Sequence, residues 1–464
     1  MKNFSCAEIS FATGGELLSG NPNAVFTGVD TDSRKIHEGS LFVPIVGEKF
    51  DGHEYIESSI AAGASGALSD RVFVSSSTIL KVDDTKKALG DLAKWYLDSF
   101  NIPVVAITGS VGKTSTKEMV HAIMQKKFST LKTPGNYNND IGLPLSIFNM
   151  SDEYNAIVLE MGMSGLGEIS RLSEIASPDI GIITNIGISH IEKLGSRQNI
   201  LKAKLEIVDG MKDDGIVILN SDDPMLAGVR DFIGKKVITY GTEEDADIRA
   251  EAVFGKGEFG SEFSLSINGE RHEVKLNVPG SHNVYNALAA IAVGSIFGIS
   301  TSDSIEALSD FVSDDSMRMF IKEIGGIKII NDSYNASPIS MKAALSVLSE
   351  LRVSGKKYAV LGDILELGEW SQKAHIEVGE SAKFNGIDVL VVVGEFAKHT
   401  ANGASEAGFN EGNIHIFNNN SEVIAFLFDN ITEGDSLLIK GSRGAKMEQV
   451  YKAIVEKSGE KVGG

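Results

Sequence analysis

The sequence predicts an α/β protein of three domains: a small α/β module, a central phosphate-loop domain with a mostly parallel sheet, and a C-terminal Rossmann-like, doubly wound domain. Three observations carry this. At 464 residues the chain is too long for one ordinary core. Residues 102–116, IPVVAITGSVGKTST, read strand, glycine-rich turn, Lys-Thr, helix. Beyond Asp314-Asp315-Ser316 a strand–helix alternation begins afresh, with strands expected at 327–331, 357–362, 388–393, 413–417 and 435–440.

Residues 1–85 form the first expected domain. Its most pointed segment is Gly28-Val29-Asp30-Thr31-Asp32-Ser33-Arg34-Lys35. Ser33 and Arg34 beside short strands could hold a phosphate or a sugar hydroxyl, or simply make a turn with a solvated arginine. Residues 86–100, KKALGDLAKWYLDSF, have helical periodicity and deliver the chain into the central domain, 86–314.

There the apolar run Val104 to Ile107 reads as a strand buried on both faces. Gly109, Ser110, Val111, Gly112, Lys113, Thr114 and Ser115 follow, then a helix with Val120, Ile123 and Met124 on one face. Glycines let backbone N–H groups converge on phosphate oxygens, and the helix N-terminus adds partial positive charge. In this grammar Lys113 neutralises β/γ-phosphates and the Thr114 hydroxyl ligands Mg²⁺. The usual pattern has glycine where this chain has Ile107. A nucleoside triphosphate is the leading ligand.

Downstream, the segment from Thr133 to Gly142 is crowded with amides, Asn138 and Asn139 among them, and suits a pocket rim or an ordinary loop. The run Ala156 to Leu159 ends at Glu160, a carboxylate at the carboxyl end of a parallel strand, where open α/β sheets bind ligands. A metal-ligand role competes there with a salt-bridged glutamate. The strand IGIITNIG leads to His190 on the same rim, and residues 199–209 read as a helix carrying Lys202, Lys204 and Glu206. A lysine there could act on phosphate, become a carbamate ligand, or face solvent. The alternation of Glu262–Ile267 and Val274–Val278 around Asn268-Gly269 predicts a β-hairpin appended to the sheet. Asn283 and Asn286 share a face of the Ala-rich helix that follows, placed to read an adenine edge or to cap the helix.

The last domain, 315–464, lacks G-x-G-x-x-G after its first strand, so dinucleotide binding is not indicated. Its strand ends instead carry Asn331 to Ala336 (with Asp332, Ser333 and Asn335), Gly362 to Glu369, and Lys440-Gly441-Ser442-Arg443-Gly444. Three polar clusters at carboxyl ends mark one rim facing a cleft. Arg318, at the start of the domain, is a hinge residue able to reach phosphate.

Composition narrows the class. With 42% hydrophobic and 23% charged residues the chain is that of a soluble globular protein. A net charge of −20 argues against a broad nucleic-acid or anionic-membrane surface, so a phosphorylated substrate needs a locally positive pocket. Cys6 is the only cysteine, which excludes an internal disulfide and a cysteine zinc cluster. No apolar run is of membrane-spanning length, and Met1 to Thr13 has no signal-peptide centre, so the expectation is a cytoplasmic protein without membrane insertion.

TGSVGKTS, GNYNNDIGLPL, LEMGMSGLGEI, TNIGISHIEKLGS, AKLEI, HNVYNALAA, NDSYNASPISMKAAL, LGDILELGE and KGSRG, in order from about residue 25 to 450, resemble the Mur ligases. The resemblance implies UDP-sugar-binding, ATP-binding and amino-acid-binding domains, and an ADP-forming amide ligase of peptidoglycan precursor synthesis. NDSYNASP with LGDILELGE is similar to the branch that joins D-alanyl-D-alanine to UDP-N-acetylmuramoyl-tripeptide. The Asp-Asn-Pro-Arg motif expected of third-residue-adding members is absent. Carried over, Lys113 contacts phosphate, Thr114 and Glu160 ligand one Mg²⁺, and His190 with a carbamylated Lys204 holds a second. Asn286 reads adenine, while Arg318 and Asp332 reach the nucleotide across the closed cleft. Ser33, Arg34, Asn138 and Asn139 are candidates for the UDP-substrate, and Ser333 and Asn335 for the dipeptide or for closure. A monomer is the expectation. Two departures stand out: Met317-Arg318-Met319-Phe320 where the family shows Gly-Arg-Met-Glu, and Val111 where it shows Asn or Thr. Another ATP-dependent amide ligase, of the third-residue or folyl-glutamate type, and a non-catalytic nucleotide-binding regulator are the competing readings.

Overall fold

The structure is a computed structural model and describes residues 2–73, 75–312 and 317–459. The expected boundary between 314 and 315 lies outside the described residues. The three-domain α/β architecture is present, each domain with its own main sheet.

The N-terminal sheet has five strands in the order Glu16–Ser19, Thr78–Lys81, Gly66–Ser69, Leu41–Phe42, Val29–Asp30. All its pairings are parallel except the first, that of Glu16–Ser19 with Thr78–Lys81. The helix Thr85–Asp98 then starts where the Asp84 carboxylate accepts from the Lys87 N–H. It buries Ala88, Leu89, Leu92, Ala93, Tyr96 and Leu97, a stripe at helical spacing. Burying each large side chain contributes roughly 1.5–3 kcal/mol. Tyr96 packs on Phe4 from one side and on Phe100 and Phe148 from the other, and its hydroxyl donates to the Met150 carbonyl at 2.7 Å. The helix is thus shared between the first sheet's layer and the central one; it ends at Asp98, and at Asn101 the chain takes a φ of +47° that helical residues do not adopt.

The central sheet has nine strands. The loop strand Val104–Thr108 lies between Ile180–Ile183 and Ala156–Glu160, parallel to both. Ile216–Asn220 and Lys236–Gly241 continue one side, and Thr130–Lys132 closes the other. Chain order reverses at the loop strand, so the crevice above its carboxyl end is the topological switch point where such sheets take ligands. Every residue of Val104–Thr108 and Ala156–Glu160 is buried, as the unbroken apolar runs require. The expected hairpin is Ser261–Ile267 with Glu270–Leu276, and it joins through a strand not foreseen, Ile248–Gly255, which is antiparallel to the hairpin and parallel to Lys236–Gly241. Helix His282–Ile296, almost wholly buried, packs beside the loop helix Lys113–Met124.

The C-terminal sheet runs Phe320–Ile324, Ile327–Asp332, Ser436–Lys440, Lys357–Gly362, Val389–Val393, Ile414–Phe417. All five expected strands are there within a residue. Phe320–Ile324, an antiparallel edge, was missed because its residues are only half-buried and lack a clean apolar alternation. Among the described residues no helix is long and apolar enough to cross a membrane.

Candidate active site

The loop Gly109–Thr114 is shaped by two left-handed glycines and held by the neighbouring strand's end. Gly109 and Gly112 have φ of +147° and +85°, and a Cβ on Gly109 would overlap Thr184 Oγ1. The Ser110 N–H donates to the Asn185 carbonyl at 3.1 Å and the Val111 N–H to Asn185 Oδ1 at 3.0 Å. In return Thr184 Oγ1 donates to the Val111 carbonyl at 2.6 Å, and Gly187 N–H donates to Ser110 Oγ at 2.8 Å. Val111 therefore fits because the loop uses its backbone alone. Thr184 and Asn185, not singled out as site residues from sequence, are the clamp. Their place at a strand end beside the loop was the available signal.

Two lysines, Lys113 and Lys204, line the pocket in a chain of net charge −20. Lys113 donates to the Gly109 carbonyl at 2.9 Å. Burial pushes its pKa down, the Glu160 carboxylate opposes that, and Arg318 adds to it. Lys204, on the last turn of helix Arg197–Leu205, is 3% exposed, too buried for a solvated helix face. Burial, with Lys113 nearby, holds its pKa well below that of an ordinary lysine. Among the described residues its amine has no hydrogen-bond or ion-pair partner. His190 follows at φ +60°; burial lowers its pKa, Glu366 raises it, and Lys113 and Lys204 lower it further. Its Nδ1 lies 2.5 Å from Glu366 Oε2, a residue of the C-terminal domain.

Opposite the lysines, Thr114 Oγ1 donates to Glu160 Oε2 at 2.8 Å. Asn138 Nδ2 donates to Glu160 Oε1 at 2.8 Å, so the structure brings Asn138 to this carboxylate. Asn139 turns its Oδ1 onto the N–H of Gly142 at 2.9 Å, a local cap. Asn286 lies beneath the loop, its Oδ1 accepting from Thr116 Oγ1 at 3.1 Å and its Nδ2 donating to Asn283 at 2.8 Å. Ser115 is half-buried in the first turn of the loop helix.

Across the cleft, the Arg318 guanidinium stacks 3.9 Å from the Tyr334 ring centroid. The Asp332 carboxylate accepts from the Met319 N–H at 3.1 Å and pairs with the buried Lys440, which also donates to the Asn335 carbonyl at 3.0 Å. Ser333 is fully buried and donates to Asn331 at 2.7 Å. Met319, at the departure from the family hinge motif, adopts φ +51°. In the first domain, Arg34 forms a two-point pair with Asp32 at 2.8 Å, which holds that carboxyl down at about 2. The structure does not bring Ser33 or Arg34 together with any other predicted site residue.

The donor set suits Mg²⁺. A hydroxyl and a carboxylate stand 2.8 Å apart at a phosphate loop, hard oxygen ligands of the kind that cation takes. The unpartnered amine of Lys204 suits conversion to a carbamate, because a neutral buried amine can react with carbon dioxide and become an anionic oxygen ligand.

A phosphate loop clamped on a parallel sheet, with a hydroxyl–carboxylate pair and a third domain reaching over it, defines an ATP-dependent ligase of the three-domain type. Residues 25–96 match the Mur ligase family catalytic domain, 107–294 the Mur ligase middle domain and 317–443 the Mur ligase glutamate ligase domain. The chain belongs to the Mur ligase family. More narrowly, it is 41% identical to the UDP-N-acetylmuramoyl-tripeptide–D-alanyl-D-alanine ligase of Bacillus subtilis, over 93% of this chain and 94% of that one. It superposes on MurF from Acinetobacter baumannii with a TM-score of 0.91 and 31% identity, covering 98% and 99% of the two chains. With the MurF ligase of Thermotoga maritima in complex with ADP the TM-score is 0.82 at 30% identity, covering 93% and 97%.

Proposed function

We propose that this protein joins D-alanyl-D-alanine to UDP-N-acetylmuramoyl-tripeptide at the expense of ATP, through an acyl phosphate, yielding the pentapeptide, ADP and phosphate. The observation that carries the reading is the loop–Lys113–Thr114–Glu160 constellation in a chain similar throughout to ligases of that name. The ADP complex of the Thermotoga relative supports a nucleotide at this loop.

A peptide carboxylate is a poor acyl donor, so it first attacks the γ-phosphate. Lys113 and the loop N–H groups stabilise the charge spread over the transferring phosphoryl group. The amine of the dipeptide then attacks the activated carbonyl, and phosphate leaves. Mg²⁺, held by Thr114 and Glu160 and at a second place by His190 and a carbamate of Lys204, would neutralise phosphate charge. Arg318 and Asp332 bring the third domain's charges to the nucleotide, and closure keeps water from the acyl phosphate.

The domain division follows the same reading: 1–85 holds the UDP-sugar, 86–314 holds ATP, with 86–100 as the linking helix, and 315–464 receives the dipeptide. Ser33, Arg34 and Asn139 serve the sugar-nucleotide; Ser333 and Asn335 serve closure. The enzyme acts as a cytoplasmic monomer. Phosphate release measured with UDP-N-acetylmuramoyl-tripeptide, with and without D-alanyl-D-alanine, tests this. Release that needs both, with a product heavier by the dipeptide, is expected. Release driven by a single amino acid refutes the assignment within the family.

A further inference from the structure

The dipeptide enters as a zwitterion, and its ammonium must come to rest against the phosphate loop. A carboxylate on the third domain, facing that loop and free of other duties, is the group such a cation needs. Most carboxylates on the rim are already committed. Both oxygens of Asp363 accept backbone N–H groups, from Glu395 at 2.8 Å and Phe396 at 3.0 Å. Asp332 is taken by Lys440 and the Met319 N–H, and Glu160 by Thr114 and Asn138.

Glu366 differs. Its side chain is 52% exposed, and its only ion-pair contact among the described residues is His190 Nδ1, a nitrogen on the phosphate side of the cleft. An imidazole nitrogen therefore already lies 2.5 Å from this carboxylate, where an ammonium would sit. The loop that presents Glu366 is rigid. Ile364 N–H donates to the buried His375 at 3.0 Å, Leu365 N–H to Ser442 Oγ at 2.9 Å, and Ile364 and Leu367 are buried on either side. The Glu366 carbonyl also accepts from the Glu192 N–H at 3.3 Å, which docks the loop onto the helix following His190. Glu366 itself has φ +62°, a conformation that side-chain-bearing residues rarely adopt, and so does its partner His190 at +60°. Held strain at a cleft of this kind accompanies a functional constraint.

We propose that Glu366 holds the ammonium of the incoming dipeptide beside the carbonyl activated on the loop; one proton passes to the Glu366 carboxylate, the resulting neutral amine attacks, and the second proton leaves with phosphate. The proposal rests on the ligase reading above and adds the acceptor subsite to it.

The test is steady-state phosphate release by wild type, Glu366→Gln and Glu366→Asp, varying each substrate in turn, together with inhibition by N-acetyl-D-alanyl-D-alanine, whose amine is capped. Glu366→Gln should raise the dipeptide KM about 10- to 100-fold, the range for loss of a charged hydrogen bond, with the KM values of ATP and UDP-tripeptide within about twofold of wild type. Glu366→Asp should recover part of the loss. The capped dipeptide has no cation for Glu366 to hold, so its inhibition constant should be the same in wild type and Glu366→Gln. An unchanged dipeptide KM overturns the proposal. So does a parallel rise for all substrates and the capped inhibitor, which marks Glu366 as a purely structural tie. If wild-type release does not depend on the dipeptide at all, the ligase reading fails first and the subsite with it.

Discussion

Gly112→Ala tests how the loop is built. The left-handed conformation at φ +85° costs alanine about 1 kcal/mol. The new Cβ would lie 2.7 Å from Asn286 Oδ1, well inside van der Waals contact, so the buried amide must move. Moving it loosens its bonds to Thr116 and Asn283, about 1 kcal/mol each. The total is about 3 kcal/mol, which lowers the calorimetric transition of the central domain by roughly 5–10 °C. ADP binding, read by titration calorimetry, should weaken by at least about tenfold, because the loop N–H groups shift with the amide. In an Asn286→Ala background the clash is gone, and the cost of Gly112→Ala should fall to the backbone share of about 1 kcal/mol. An undiminished cost in that background, or wild-type stability of the single variant, refutes the account of Asn286 as the wall behind the loop.

Three further expectations follow from the same geometry. Lys113→Ala should abolish phosphate release while the far-ultraviolet dichroism stays that of the wild type; turnover at the wild-type rate rejects the loop assignment. Lys204→Ala should lose most activity and regain part of it with added short carboxylates, which substitute for the carbamate; unaffected turnover removes Lys204 from the site. His282, half-buried between the central and C-terminal domains near Asp332 and Lys440, is held down at about 4 mainly by desolvation. An unfolded histidine titrates near 6.5, so between about pH 6.5 and 4 the unfolded chain binds a proton that the native one does not. Stability should therefore fall as the pH drops through that window, by on the order of 2–3 kcal/mol, and be insensitive to this group above it. Urea midpoints for wild type and His282→Asn across that range check it; parallel curves reject the assignment.

The sequence alone determined the elements whose signal is local. The strands Val104–Thr108 and Val389–Val393 are apolar runs buried along their whole length because both their faces are covered, and burial of that kind writes itself into consecutive residues. Lys113, Thr114 and Glu160 were legible because a turn between strand and helix, and the last residue of a strand, fix where a side chain emerges. Tertiary structure decided what depends on long-range approach. Asn138 meets Glu160 across 22 residues, and Thr184 and Asn185 reach the loop across more than 70. Lys204 reads as one more charge on a helix until the packing around it shows that its amine is buried. The Glu366–His190 contact exists only because two separately folded sheets present their strand ends to one cleft, and nothing in either segment's composition encodes the other.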